Sequence, residues 1–481
     1  MKKNNSQSIL VIIVLLCLIG CKGCAPDLAT EVKLLAGDHK ISKAEFKALS
    51  QKLKDSNQAK FKSFENPQNL YKQILRTLEA QDIVAEVWNP KPSSGNSAFN
   101  VNVFLENSES INGYVNGASD FKNSIYNMLV NVKMIGQCKS LNLNYINTKI
   151  PFTKENALNK DIQAFIKNLS PATFKIKGGG QTTSDLAAVI DVAISKVNSN
   201  NLSVLISDFV FSPGSGEIAN NYLENQSTSI RSSVSDKLKH ENIAIAILHM
   251  TSSFDGSYFT LYDRELEFKG NRPYYIWLIG RENQVKSLLE NQVIKDSDKS
   301  FMNKVVFKST KSLEDISYKV TRHNLIGDYI SGANKGELKN VKSVNGKFSF
   351  SIAVNFAANL RGGDYFVDPT NYLLSENYSL TTRLLTEKEK ASPALFGYTH
   401  LLTLKTETFD GQSFDISVRD KLPAWVQTTT SLNDTNILND KAEHRKTFGL
   451  KYLINGVSDA FKPNPIQREN IISKIRITIK Q

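Results

Sequence analysis

The chain has few of the residues that mark disulfide-rich or zinc-binding proteins. Its 481 residues include four cysteines and six histidines, and the cysteines lack zinc-type spacing. Cys17 and Cys21 lie at the N-terminus, which leaves Cys24 and Cys138 in the body of the chain. So few thiols exclude a disulfide framework, and we interpret Cys24 and Cys138 as incidental.

Long apolar runs are missing from most of the sequence. Mean hydropathy is -0.29, with 41% hydrophobic and 22% charged residues, as in ordinary globular proteins. Residues 9–19 form one apolar run after Lys2 and Lys3. A membrane-spanning helix needs about 20 such residues, so this shorter run is typical of a signal peptide.

The end of that run resembles a bacterial lipobox. Residues 18–21 read Leu-Ile-Gly-Cys, and in a lipobox the chain is cut before the cysteine, which is then acylated. The resemblance implies a signal peptide at residues 1–20 and membrane attachment through Cys21 carrying palmitate or a similar chain. It also implies a bacterial envelope location, with the outer membrane favoured over the inner membrane.

Common catalytic signatures are absent. The chain has no H-E-x-x-H, G-x-S-x-G or G-x-x-x-x-G-K-[ST] motif. His249, at the end of an apolar strand, is the best catalytic candidate, although a structural histidine is the alternative. The formal charge of +12 favours anionic lipid or glycan surfaces over nucleic acid, and a diffuse lysine-rich surface without a specific partner is the alternative. No compact Lys/Arg cluster predicts nucleic-acid binding, and we predict a protein that is not an enzyme.

The pattern of apolar residues predicts three regions after the signal peptide. Residues 21–95 form a helical stalk and linker, with a capping box at Ser42 and Glu45 and a helix start at Pro67. Residues 96–308 alternate strand and helix, which predicts an α/β fold with a doubly wound, mostly parallel sheet.

Residues 309–481 alternate apolar and polar positions, which predicts a β-rich, sandwich-like domain. Tight turns at Asn345-Gly346 and Asp410-Gly411 predict two hairpins. One helix, at residues 448–461, interrupts the strands, and we assign it to the same domain.

Oxygen-bearing side chains follow two strands of the predicted α/β domain. Glu106, Ser108 and Ser110 follow the strand at residues 101–105, and Asp208 follows the strand at residues 202–207. Ligands of open α/β sheets bind at the carboxyl ends of the strands. Residues 98–307 resemble the von Willebrand factor A (vWA) family, whose metal-ion-dependent adhesion site has the pattern D-x-S-x-S, a later threonine and a later aspartate.

The resemblance implies a vWA-like fold, a bound Mg²⁺ ion and a protein partner. Matched by position, the implied metal ligands are Glu106, Ser108, Ser110, Ser184 and Asp208, with Thr182 or Thr183 as alternatives to Ser184. Carboxylate and hydroxyl oxygens are hard ligands that suit Mg²⁺. A carboxylate of the partner would complete the coordination shell.

Two positions depart from the family pattern. Glu106 replaces an aspartate with a side chain one methylene longer, and Phe209 replaces the usual glycine after the last aspartate. A degenerate site is the alternative: Ser108 and Ser110 then make loop hydrogen bonds, and the hydroxyls at 182–184 cap the following helix.

Two other functions remain open from the sequence. The first is a metal-dependent hydrolase or phosphatase at the same sheet edge, which needs a histidine or carboxylate within reach of Ser108, Ser110 or Ser215. The second is an envelope scaffold that binds its partner through the C-terminal β domain.

Overall fold

The chain forms two compact units, residues 1–96 and residues 97–481, and each is described by itself. The computed structural model describes residues 27–55, 67–81, 83, 85–88, 98–177, 185–211, 213, 218–295, 297–308, 316–356, 361, 363–375, 377–462 and 471–480. The predicted signal peptide, Cys21, residues 182–184 and Ser215 lie outside this set. Within it, no helix has the length and apolar character needed to cross a membrane.

Three helices form most of the described part of the N-terminal unit. Its elements are α1 (Leu28–Leu35), β1 (Lys40–Ile41), α2 (Lys43–Asp55), α3 (Pro67–Ala80) and β2 (Glu86–Val87), and β1 pairs in parallel with β2. The capping box at the start of α2 is confirmed, since the Ser42 amide donates to the Glu45 carboxylate at 2.8 Å. Leu70 and Ile74 of α3 are buried, as their helical spacing predicts.

The main unit begins with an α/β region. Its elements are β3 (Phe99–Glu106), α4 (Asn112–Val115), α5 (Asp120–Met134), β4 (Cys138–Ile146), β5 (Phe152–Lys154), α6 (Asn159–Lys167), α7 (Pro171–Lys177), α8 (Leu186–Ser195), β6 (Asn201–Ser207), α9 (Ala219–His240), β7 (Ile243–Phe259), β8 (Glu265–Arg281), α10 (Glu282–Glu290) and β9 (Phe301–Lys308). Its seven strands form one sheet in the order β5-β4-β3-β6-β8-β7-β9.

This sheet confirms the α/β class, but "mostly parallel" is wrong. Among its described pairings, β3 pairs in parallel with β4 and β6, and the other four pairings are antiparallel. The reason is a long hairpin: β7 and β8 pair along their whole length, from Ile243↔Arg281 to Phe259↔Glu265. Strands β7 and β8, which the sequence predicted to be parallel, are therefore antiparallel neighbours. Antiparallel neighbours need only a tight connection between them.

Helices cover both faces of the sheet. One face packs against α4, α5, α6, α7 and α10 through side chains such as Val103, Leu143 and Ile276. The other packs against α8 and α9 through Leu205 and Trp277. Alternate residues of each strand serve opposite faces, as the pleat of a strand requires.

The C-terminal part of the main unit contains a β-sandwich and a segment that lies outside it. Its elements are β10 (Ser317–Ile326), β11 (Asp328–Ser331), β12 (Glu337–Lys342), β13 (Phe348–Asn355), β14 (Tyr372–Leu373), β15 (Ser379–Leu384), α11 (Glu387–Lys390), β16 (His400–Thr406), β17 (Phe414–Arg419), α12 (Ala424–Thr428), β18 (Thr430–Ser431), β19 (Thr447–Phe448), α13 (Leu450–Phe461) and β20 (Ile471–Lys480). The two sheets run β10-β13-β16-β15 and β11-β12-β20-β17-β14, and their inner faces share one apolar core.

The two predicted hairpins are wrong in their pairing. Asn345 and Gly346 do form a tight turn, with φ of 51° and 77°, but β12 and β13 on either side of it belong to different sheets. The chain likewise passes from one sheet to the other between β16 and β17, across Asp410-Gly411. Both turns therefore connect the layers of the sandwich instead of neighbouring strands.

The assignment of the C-terminal helix to the β domain is also wrong. Helix α13 packs on the α/β sheet, where Leu453, Ile454 and Val457 join the core that contains Trp277 and Phe307. Its apolar face is the predicted one, but its partner is the distant sheet. Residues 424–461, the return segment, thus complete the second face of the α/β region before β20 rejoins the sandwich.

Candidate functional site

Glu106 and Asp208 lie at the carboxyl edge of the central strands β3 and β6. Glu106 is the last residue of β3, and Asp208 directly follows β6. The hydroxyl of Ser207 donates a short hydrogen bond to the Glu106 carboxylate and accepts one from the Phe209 amide at 2.7 Å. Because β3 and β6 pair in parallel, their ends meet, and the two acidic residues become neighbours.

The predicted serines join this cluster. The hydroxyl oxygens of Ser108 and Ser110 are 2.9 Å apart, and Ser110 donates to Asp208 Oδ1 at 3.3 Å. The Val210 amide donates to the same oxygen at 3.3 Å. Glu106, Ser108, Ser110 and Asp208, which we call the carboxylate cluster, are therefore brought together as the motif predicts, while Thr183 and Ser184 lie outside the described residues.

The two carboxylates of the carboxylate cluster are buried, and Ser110 is half-buried. Glu106 is 1% exposed and Asp208 is 3% exposed. Burial and, after it, the charge of Glu106 raise the pKa of Asp208 to about 7, although hydrogen bonds from Val210 and Ser110 act in the opposite direction. Two carboxylates thus share a buried site in which their charges repel each other.

The outer half of the β7/β8 hairpin closes the site. Residues 250–274, which we call the roof, extend beyond the level of Ser207, which pairs with Tyr275. Tyr114 donates to the carbonyl of Pro273 at 2.5 Å. A Cβ on Gly113 would lie 2.4 Å from the Phe254 ring, so the roof rests directly on α4 and leaves no space between them.

The return segment also holds the roof. Asp434 accepts hydrogen bonds from the Tyr258 hydroxyl at 2.6 Å and from the Leu261 amide at 2.9 Å. The hydroxyls of Tyr275 and Thr447 are 3.1 Å apart. These contacts join the hairpin to a segment about 170 residues later in the chain.

Arg272, which belongs to the β8 strand of the roof, supplies a buried positive charge. It is 1% exposed, and its Nη1 donates to the carbonyls of Glu443 and His444 at 3.1 and 3.3 Å. Its guanidinium lies 4.6 Å from the centre of the Tyr258 ring. The positive charge of Arg272 lowers the pKa of Asp208, against the larger effect of burial.

The residue after Asp208, Phe209, has a backbone conformation that glycine adopts more easily than other residues. Its φ is 50°, in the left-handed region that a side chain disfavours. The ring is fully buried and stacks on Trp277, with centroids 4.9 Å apart. Packing on the sheet therefore offsets the backbone strain.

The donor chemistry of the carboxylate cluster fits Mg²⁺. Two carboxylates and two hydroxyls are the oxygen ligands this ion prefers, and a cation between them would relieve the repulsion that raises the pKa of Asp208. Across the described part of the chain, no group of three His, Cys, Asp or Glu side chains could hold a metal. Any ion at this site would therefore depend on hydroxyl ligands as well.

The structure also bears on the hydrolase alternative. A carboxylate does lie within reach of a serine, since Ser110 contacts Asp208, but both belong to the covered cluster. His249 is stacked between the rings of Tyr275 and Trp425, at centroid distances of 5.3 and 5.2 Å. Burial lowers its pKa to about 4, so the ring is a neutral, packed histidine near pH 7.

Sequence reasoning missed the residues that close the site. Arg272 and Asp434 lie far from the motif along the chain. One signal was available for the roof: Phe254, Tyr258, Leu266 and Phe268 are apolar at alternate positions, which is typical of paired strands, and all four are buried. No comparable signal links Asp434 to the hairpin.

Comparison with known proteins gives no family. No protein-family model, curated protein or solved structure matches the chain.

Proposed function

We propose that this chain is an exported binding protein, attached to a bacterial envelope membrane through Cys21, whose vWA-like α/β region captures a protein partner. Support for export comes from the apolar run and lipobox-like residues near the N-terminus. Support for a vWA-like arrangement comes from the parallel strands β4, β3 and β6 with helices on both faces.

The observation that carries the proposal is the convergence of the motif oxygens. Ser108, Ser110 and Asp208 form a chain of contacts of 2.9 and 3.3 Å at one edge of the sheet. Glu106, whose charge acts on Asp208, completes the group. In this proposal Mg²⁺ binds among these oxygens and stabilises the roof above them.

We assign the partner contact to the outer surface of the roof and return segment, because the carboxylate cluster is covered. Tyr262, in the turn of the hairpin, is 65% exposed, and Leu432 and Leu438, on either side of Asp434, are each 50% exposed. Exposed aromatic and aliphatic side chains with buried supports are common anchors of protein interfaces. The metal would act on the partner indirectly, by ordering the roof.

Calorimetric titration with Mg²⁺ and Mn²⁺ tests the metal site. We expect the purified chain to bind one ion and Asp208→Asn to lose that binding. Asp191→Asn, at an exposed position of α8, is the matched control and should bind as the unchanged chain does. Absence of binding to the unchanged chain would reduce the cluster to a structural hydrogen-bond network.

Cross-linking in intact cells tests the partner surface. A partner recovered with the unchanged chain should be lost with Tyr262→Ala combined with Leu438→Ala. Met134→Ala removes an equally apolar side chain that is 78% exposed at the end of α5, and it should leave recovery intact. Equal recovery with all variants would move the partner site away from the roof.

A further inference from the structure

A second polar site lies on the side of the α/β region formed by α5. A groove of about 450 Å³ separates this helix from the described residues that follow α10, 291–295 and 297–300. The helix contributes Asn123, Asn127 and Asn131, and the segment contributes Val293 and Ile294. This volume is within the range of small-molecule pockets, and we call the space the polar groove.

The asparagines form a row along the helix. Asn123, Asn127 and Asn131 are spaced by four residues, so one amide follows another at about 6 Å along one side of α5. Asn123 and Asn127 are exposed. An amide offers both donors and an acceptor, so the row presents a repeated, uncharged hydrogen-bonding pattern.

Two contacts cross the groove. Near the start of α5, the Ser124 hydroxyl lies 3.2 Å from both carboxylate oxygens of Asp298. Near its end, the Asn131 amide donates to the carbonyl of Val293 at 3.1 Å. Seven residues separate the two bridges, which is about 10 Å along the helix. A compact ligand fits between them, whereas an extended chain would have to break one.

The charges around the groove cancel. Asp120 and Asp298 are matched by Lys295 and Lys299, and Asp120 pairs directly with Lys299 at 2.6 Å. A strongly charged ligand would therefore gain little from this site. A neutral ligand rich in hydroxyl and amide groups matches the wall better, because each of its polar groups can exchange hydrogen bonds with an amide.

The wall also carries apolar surface between the amides. Tyr126, Val130, Val293 and Ile294 line the groove beside Asn127. The ring of Tyr126 is half-buried against the core, which holds it in place. Sugar rings have this combination of chemistry, since hydroxyls surround faces made of C–H groups.

We propose that the polar groove binds a neutral saccharide of one or two rings, with the Asn123 and Asn127 amides on its hydroxyl or acetamido groups and Tyr126, Val130 and Ile294 against its C–H faces. The site is separate from the carboxylate cluster and does not depend on the partner or on the metal. It gives the protein a second ligand of a different chemical class.

Saturation-transfer NMR with the full chain tests the assignment. The probes are N-acetylglucosamine, its β-1,4-linked disaccharide, glucose and maltose. We expect at least one probe to bind and Asn127→Leu to weaken that binding roughly 2- to 12-fold for each hydrogen bond lost. Leucine is a good helix former at this exposed position, so the variant keeps the fold.

The control is Asn225→Leu, the same change at an exposed position of α9. It should leave saccharide binding unchanged. Failure of every probe to bind, or equal binding by Asn127→Leu and the unchanged chain, would overturn the proposal. Tighter binding of an N-acetylated dipeptide amide than of any saccharide would assign the asparagines to peptide main chain instead, and would overturn it too.

Discussion

The hydroxyl of Tyr258 donates to the carboxylate of Asp434 at 2.6 Å, across 176 residues of sequence. Asp434 also accepts from the amide of Leu261, in the turn of the same hairpin. One buried carboxylate of the return segment thus accepts both hydrogen bonds, from the Tyr258 hydroxyl and from the Leu261 amide. This contact therefore fastens the roof to the return segment.

Asp434→Ala should loosen the roof. The substitution leaves a buried hydroxyl and a buried amide without their acceptor, and each loss costs about 1–3 kcal/mol. We expect the free energy of unfolding to fall by about 2–4 kcal/mol, with faster hydrogen exchange at residues 250–274. Asp191→Ala, on the exposed side of α8, should change stability by less than about 0.5 kcal/mol. Unchanged exchange in the roof would contradict the role of Asp434.

Gly113→Ala tests the lower contact of the roof. The new Cβ would lie 2.4 Å from the Phe254 ring, which is buried and cannot move freely. Overpacking of this kind costs about 1–3 kcal/mol. Chemical denaturation should show that loss, and Phe254→Leu should recover part of it in the double variant. Gly136→Ala, where nothing lies within 4 Å, is the control. If Gly113→Ala, Phe254→Leu and Gly136→Ala were equally stable, the roof would not rest on α4.

How far the sequence predicts this structure depends on the range of the interactions. Local signals succeeded: the capping box at Ser42, the apolar face of α13 and the strand ending at Glu106 depend on residues within a few positions of each other. The sequence did not predict which elements pack together. The helical spacing of Leu453 and Ile454 indicates that one face of α13 is buried, but it does not indicate against which sheet. Arg272 and Asp434 close the candidate site through contacts that no local pattern encodes.

The packing of α13 predicts that the α/β region depends on the C-terminal part of the chain. Ile454→Ala should remove a buried side chain from the core that contains Trp277 and lower the free energy of unfolding by about 2–5 kcal/mol. Hydrogen exchange should rise first in α8 and α9, which share that core, and not in β13 or β16. Asn455→Ala, exposed on the same helix, should have little effect. Loss of protection confined to the sandwich would refute the shared core.

His249 predicts a loss of stability on acidification. Burial lowers the pKa of His249 to about 4 from its ordinary 6.5, so the unfolded chain binds a proton at this residue more readily than the folded chain. The stability that the neutral His249 ring contributes is therefore fully present above about pH 6.5. It is lost as the pH falls toward 4, by about 3 kcal/mol in total.

His249→Phe keeps a flat ring between Tyr275 and Trp425 but cannot titrate. Denaturant titrations from pH 4 to 8 should show a flatter profile for this variant. Parallel profiles for the two proteins would mean that the pKa of His249 is the same in the folded and the unfolded chain.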